Sequence, residues 1–337
     1  MQDIHQAIDP IAAVDGTTGV PLGGFGTGAI KFCAHQGTFS SITQAPADQN
    51  DYEAMPETKF QLFTTRAGST QSITRMKARQ NDGRFEDDAI WPVHKVRFED
   101  VNRIHTDMTA FAPLDHSNHV LMSLPYAFYE FVLCNEGDDE ATVTCTFQID
   151  AVTDHVMVHN SGNGFVSKGW SILADSNATH AAITVGGEEG GREEDCCEDG
   201  ECHDALGQGV AKVAVTIKLA AHDTKKIRFV IAWYDDTDPE RAFYLNEHHD
   251  SGSVAELGLV HFDALRANAD RLVTRMRQSN LPSWLTNQTL NTLVNLTNNS
   301  MYKKDGRVAF AEGEWTCFGT MDQMWHSQLC HCKYPLS

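Results

Sequence analysis

Near Ser253 the spacing of apolar residues changes period. Upstream, residues 59–65, 93–98, 126–133, 142–149, 210–219 and 225–233 mix β-branched and aromatic side chains at near-alternating spacing, separated by Gly, Asn and Asp. That is the pattern of strands. No helical stretch interrupts them, so strand–helix–strand units are excluded and a large antiparallel β-sandwich is predicted. Asn135-Glu136-Gly137-Asp138-Asp139-Glu140 falls between two of these strands and reads as a polar hairpin connection. Downstream, Val254, Leu257, Phe262, Leu265, Ala269, Leu272, Val273 and Met276 recur at three- and four-residue steps. They predict an amphipathic helix that stops before Pro282. Ser283 then serves as N-cap of a second helix, with Trp284, Leu285, Leu290, Leu293, Val294 and Leu296 on its apolar face. The turn-rich DDTDPE at 235–240 sets the boundary, giving a sandwich domain over 1–240 and a helical one over 241–337.

Composition narrows the function. Against 26 Lys+Arg stand 46 Asp+Glu, a net charge of −20, which disfavours binding to a nucleic-acid backbone. With 41% hydrophobic and 21% charged residues, the chain can bury a core. No apolar run reaches the ~18 residues of a membrane helix. Residues 1–15 lack a basic start followed by an apolar stretch, so no secretory signal is read there. The odd number of cysteines, nine, fits reduced thiols, and a cytoplasmic location is expected. Nine of the acids crowd into residues 186–204, GGEEGGREEDCCEDGECHD, which read as an exposed acidic loop. Cys196, Cys197, Cys202 and His203 lie in it, but their spacing is not that of a zinc site, and no metal or cofactor is expected.

Two stretches bear on chemistry. Residues 19–28, GVPLGGFGTG, have four glycines in six positions, and no Gly-Lys-Ser/Thr or helix start follows. Close approach of backbone to backbone explains them better than a phosphate cradle. Residues 305–328, DGRVAFAEGEWTCFGTMDQMWHSQ, bring together Glu312, Glu314, Trp315, Phe318, Asp322, Trp325 and His326. Carboxylates beside aromatic rings suit a sugar site, where rings stack on C–H surfaces and carboxylates act as nucleophile, acid or hydroxyl ligand.

Three motifs carry a resemblance to a family. GVPLGGFGTGAI at 19–30 is similar to the GIPLGGIGxGxI of glycoside hydrolase family 116, which includes the non-lysosomal (bile-acid) β-glucosidase or glucosylceramidase of animals and bacterial β-glucosidases and β-xylosidases. KKIRFVIAWYDDTDP at 225–239, with LPSWLTNQTLNTLVNL at 281–296, resembles that family's last sandwich strand, linker and following helix. FAEGEWTCFGTMD at 310–322 resembles its LEGxEYPMYNTxD loop. The resemblance implies a β-sandwich followed by an (α/α)6 barrel, a retaining mechanism and a carbohydrate or glycolipid substrate. It implies Glu312 as nucleophile, Asp322 as a residue that fixes the site and Trp315 as an aromatic contact to the sugar.

This sequence departs from the family in two ways. The segment between Glu312 and Asp322 is one residue shorter, and the family's Tyr-Pro-Met-Tyr-Asn-Thr is replaced by Thr-Cys-Phe-Gly-Thr, which leaves Glu314 as a rival nucleophile; His326, besides, has no counterpart. No position matches the acid/base, which in the family follows the nucleophile loop. The chain therefore reads as the front part of a glycosidase, inactive alone, with an incomplete barrel. Apolar faces such as Leu290, Leu293 and Leu296 are then expected to lack partners and to favour self-association. The competing reading is a non-catalytic carbohydrate-binding or scaffold sandwich.

Overall fold

The computed structural model describes residues 18–44, 52–152, 156–159, 163–175, 180–185, 193–194, 209–312 and 315–318. Two antiparallel sheets face each other. Edge to edge, the larger contains Met157–Val158, Gly164–Val166, Trp170–Ala174, Thr224–Trp233, Tyr126–Asn135, Ile104–Phe111, Val93–Arg97 and Asp87–Ile90. The smaller contains Glu193–Glu194, His180–Val185, Gly209–Leu219, Ala141–Val152, Lys59–Arg66 and Ser69–Ile73. A three-stranded sheet of Ala29–Cys33, Thr38–Ile42 and Glu53–Met55 lies against the sandwich core.

Strand periodicity sorts the side chains between layers. In Tyr126–Asn135 the residues Ala127, Tyr129, Phe131 and Leu133 join the core between the sheets, while Tyr126 and Phe128 belong to a second apolar cluster on the outer face. Both faces are covered, so this strand reads as an almost unbroken apolar run rather than a clean alternation. Between the sheets, Phe60 lies 4.5 Å from Phe147, 4.9 Å from Phe131 and 5.2 Å from both Tyr129 and Phe39, measured between ring centroids. These tilted and edge-on arrangements suit the ring quadrupoles.

The described residues contain four α-helices: α1 at His119–Met122, α2 at Ser251–Arg277, α3 at Ser283–Thr292 and α4 at Asn295–Asn298. Helix α2 begins where the side chain of Asp250 accepts from the backbone N–H of Ser253 at 2.8 Å. Its Val254, Ala255, Phe262, Leu265, Ala269 and Val273 pack on the outer face of the larger sheet. Gly258 is required there, because a Cβ would stand 2.8 Å from Val230 Cγ1 and 2.9 Å from Tyr126 Cδ2. Among the described residues no helix is long and apolar enough to cross a membrane.

Four expectations are corrected. The 135–140 connection is not a hairpin, because Tyr126–Asn135 and Ala141–Val152 belong to opposite sheets. The buried Asn135 amide organises this crossover by donating to the carbonyls of Asp139, Leu219 and Ala220, while Arg66 donates to Asp139 O and to the Asn135 side chain. Ser283 is the first residue of α3 rather than its cap; the cap position is Pro282, which makes no side-chain hydrogen bond. Leu290, Leu293 and Leu296 are buried: the first joins the layer under α2, the other two join the sandwich core. Trp284, expected on the buried face, is 49% exposed. Within the acidic stretch, Glu193–Glu194 pairs with Ile183 and Thr184 at the edge of the smaller sheet, and the four candidate metal ligands lie outside the described residues.

Candidate active site

The stretch singled out for its acids and aromatics begins in a small antiparallel sheet of Ser300–Tyr302, Val308–Glu312 and Trp315–Phe318. Glu312 and Trp315 are backbone partners across the connection 313–314, with a register shift between Ala311 and Glu312. An irregularity of this kind ends regular pairing and redirects the chain, a common arrangement beside functional residues. The fold thus places the backbones of Glu312 and Trp315 opposite each other. Glu314, Asp322 and His326 lie outside the described residues.

The glycine-rich stretch anchors this sheet to the sandwich. A Cβ at Gly23 would stand 2.2 Å from Gly28 O, at Gly24 2.2 Å from Leu124 O and at Gly26 2.6 Å from Tyr302 N. Any side chain would push backbone away from backbone, which is the close approach expected from the sequence. Hydrogen bonds complete the attachment. Gly26 N donates to Leu296 O at 3.2 Å, Thr297 Oγ1 to Gly23 O at 3.3 Å and Phe25 N to Met122 O at 2.7 Å. The indole of Trp233 donates to Thr27 O at 2.8 Å, and Ala311 N to Asn299 O at 2.7 Å, one residue before Glu312. Around this frame Phe25 contacts Tyr302 and Phe310 at centroid distances of 6.0 and 6.2 Å, and Tyr302 stacks on Phe243 at 4.3 Å and 7°. Burial pushes the Tyr302 phenol above its ordinary range.

One polar cluster near this frame went unread in the sequence. Lys31, on the Ala29–Cys33 strand, is 5% exposed, and its Nζ lies 3.5 Å from the centroid of the Tyr52 ring. Tyr52 in turn donates its hydroxyl to Asn298 Oδ1 at 2.7 Å. Burial lowers the Lys31 ammonium to about 8, with Cys33 opposing that shift, and burial raises the Tyr52 phenol. The available signal was a lysine inside the apolar run AIKFC. A second cluster joins Asp87 to His35 at 3.1 Å and to the fully buried His94 at 3.6 Å. Burial alone would raise the Asp87 carboxyl, but the neighbouring His94 ring and the hydrogen bond with His35 hold it below the ordinary range. Among the described residues no group of three or more His, Cys, Asp or Glu is placed to hold a metal ion.

The fold and the anchored sheet define a class: a two-sheet antiparallel sandwich, backed by a helix, to which a small three-stranded sheet is fastened through glycine-to-backbone contacts. Residues 19–169 match the family model described as beta-glucosidase 2, glycosyl-hydrolase family 116 N-term. No curated protein matches the sequence.

Among solved structures, a protein from human microbiome named as a kojibiose phosphorylase is similar at TM-score 0.33 and 9% identity, covering 82% of this chain and 32% of its own. This chain therefore spans about a third of that protein. A protein from Klebsiella pneumoniae subsp. pneumoniae MGH 78578 named as an aldose 1-epimerase is similar at TM-score 0.27 and 8% identity, covering 64% of this chain and 68% of its own. TmCBM61 in complex with beta-1,4-galactotriose is similar at TM-score 0.17 and 14% identity, covering 43% of this chain and 89% of its own. At these scores none of the three bears on function.

Proposed function

We propose that this chain supplies the sandwich (1–240) and the beginning of the catalytic domain (241–337) of a retaining β-glycosidase of the β-glucosidase or glucosylceramidase type. In this reading the carboxylate of Glu312 attacks the anomeric carbon of a β-glycoside, and a covalent glycosyl-enzyme forms as the aglycone oxygen leaves. Trp315 offers its indole to the C–H face of the sugar, and Asp322 fixes the site. A barrel of (α/α)6 type completes the catalytic domain. The observation that carries the reading is the family match over residues 19–169, which includes the glycine-rich stretch that anchors the sheet of Glu312.

No position in this sequence is assigned the acid that protonates the leaving oxygen, a role commonly worth about 10²–10⁴ in rate. The test is therefore covalent labelling rather than turnover. A 2-deoxy-2-fluoro-β-glucoside with an activated leaving group should attach at Glu312, with no label in Glu312→Gln and labelling retained in Glu314→Gln. A label on Glu314, or one that persists in Glu312→Gln, would overturn the assignment. Reversible sugar binding without any label would favour the non-catalytic module instead.

A further inference from the structure

Two charged side chains are buried in very different company. Glu130 is 5% exposed and receives Lys226 Nζ at 3.1 Å and Arg228 Nε at 2.9 Å. Lys31 is equally buried, yet among the described residues no carboxylate pairs with it. Its ammonium lies over the face of Tyr52, and Cys33 follows two residues along the same strand. A ring face attracts an ammonium, but by less than its desolvation costs, and buried charges are ordinarily paired.

The surroundings add a second donor. Tyr52 occupies the Asn298 carbonyl oxygen, so Asn298 offers its Nδ2 amide. Asn298 is the last residue of α4, and the next carbonyl, Asn299 O, accepts from Ala311 N. The cluster thus stands beside the strand that carries Glu312.

We propose that Lys31, Tyr52 and Asn298 form a binding site for one small oxyanion, of the kind presented by the carboxylate of an acidic sugar. The ammonium supplies the charge, the Asn298 amide a directed hydrogen bond, and the Tyr52 ring holds the ammonium in place. The site goes beyond the glycosidase reading and does not depend on Glu312 being a nucleophile. Its affinity should follow the protonation of Lys31. With a free-state titration midpoint near 8, binding weakens about tenfold between pH 7 and pH 9 by linkage.

The experiment uses the full chain labelled with ¹⁵N-lysine, with the Lys31 signal assigned through Lys31→Arg. Sodium glucuronate, sodium sulfate and methyl β-glucoside are titrated separately at ionic strength held constant with chloride. Glucuronate or sulfate should raise the Lys31 midpoint by about one unit or more, and the neutral glucoside should not. A response to glucuronate alone identifies a sugar acid, and an equal response to sulfate identifies a free oxyanion. Lys31→Met should weaken anion binding at least tenfold. If that variant does not fold, Asn298→Asp supplies an internal carboxylate and should abolish anion binding. An unmoved Lys31 signal at saturating glucuronate and sulfate, or unchanged anion affinity in Lys31→Met or Asn298→Asp, would overturn the proposal.

Discussion

The two faces of the larger sheet are covered by different means. Its inner face meets the smaller sheet through interlocked rings, Phe60, Tyr129, Phe131, Phe147 and Phe229 among them. Its outer face meets one helix, and apolar contact there is supplemented by charge: Arg228 reaches Asp263 on α2 at 2.7 Å and lies over the Phe262 ring, and Arg277 forms two 2.7 Å bonds to Asp88. Two sheets joined by many chain crossings cannot relax around a void, whereas a single helix can shift on the surface beneath it. The inner face therefore depends on packing volume, and the outer face on position.

That contrast predicts a graded set of outcomes. Phe60→Ala should cost about 3–5 kcal/mol in equilibrium denaturation, and Phe262→Ala should fall at the low end of that range, because α2 can settle into the gap. Equal losses would break the distinction. Gly258→Ala should cost about 1–3 kcal/mol by forcing α2 off Val230 and Tyr126; a neutral result would mean that the helix shifts even more freely than argued.

At the edge of the inner layer, Asp87 offers a titratable test. Its folded carboxyl is held below the ordinary value of 3.8, so it contributes stability that is complete above the unfolded value and lost as pH falls through the folded one. The gap between wild type and Asp87→Asn should be about 1–3 kcal/mol at neutral pH and should close in acid. A gap that stays constant to below pH 3 would sink this account. Smallest of all, Arg277→Ala should cost under about 1 kcal/mol, and less in high salt, since both partners are partly exposed.

Much of the fold was legible because period is a local property. The six strand segments and α2 all follow from spacing, and the glycines of 19–28 announced a backbone contact without naming the partner. What was not legible depends on which element covers which face. The 135–140 connection has hairpin composition, but Asn135 and Arg66 turn it into a crossover between sheets. Leu293 and Leu296, read from the sequence as apolar faces without partners, enter the sandwich core. In the candidate site, the sequence showed acids beside aromatics, but the pairing of Glu312 with Trp315 and the placing of Lys31 and Asn298 around Tyr52 come only through the fold.

The glycine-rich stretch also sets a timetable for synthesis. The Thr297–Gly23 hydrogen bond joins residues 274 positions apart, so the stretch leaves the ribosome early and its partner late. At ~5–20 residues per second, the wait is on the order of 14–55 s. Throughout it Gly23 and Gly26 lack the α4 groups, Thr297 Oγ1 and Leu296 O, that they bond in the finished protein. A nascent chain built this way should keep the glycine-rich stretch open to chaperones until the α4 segment has been made.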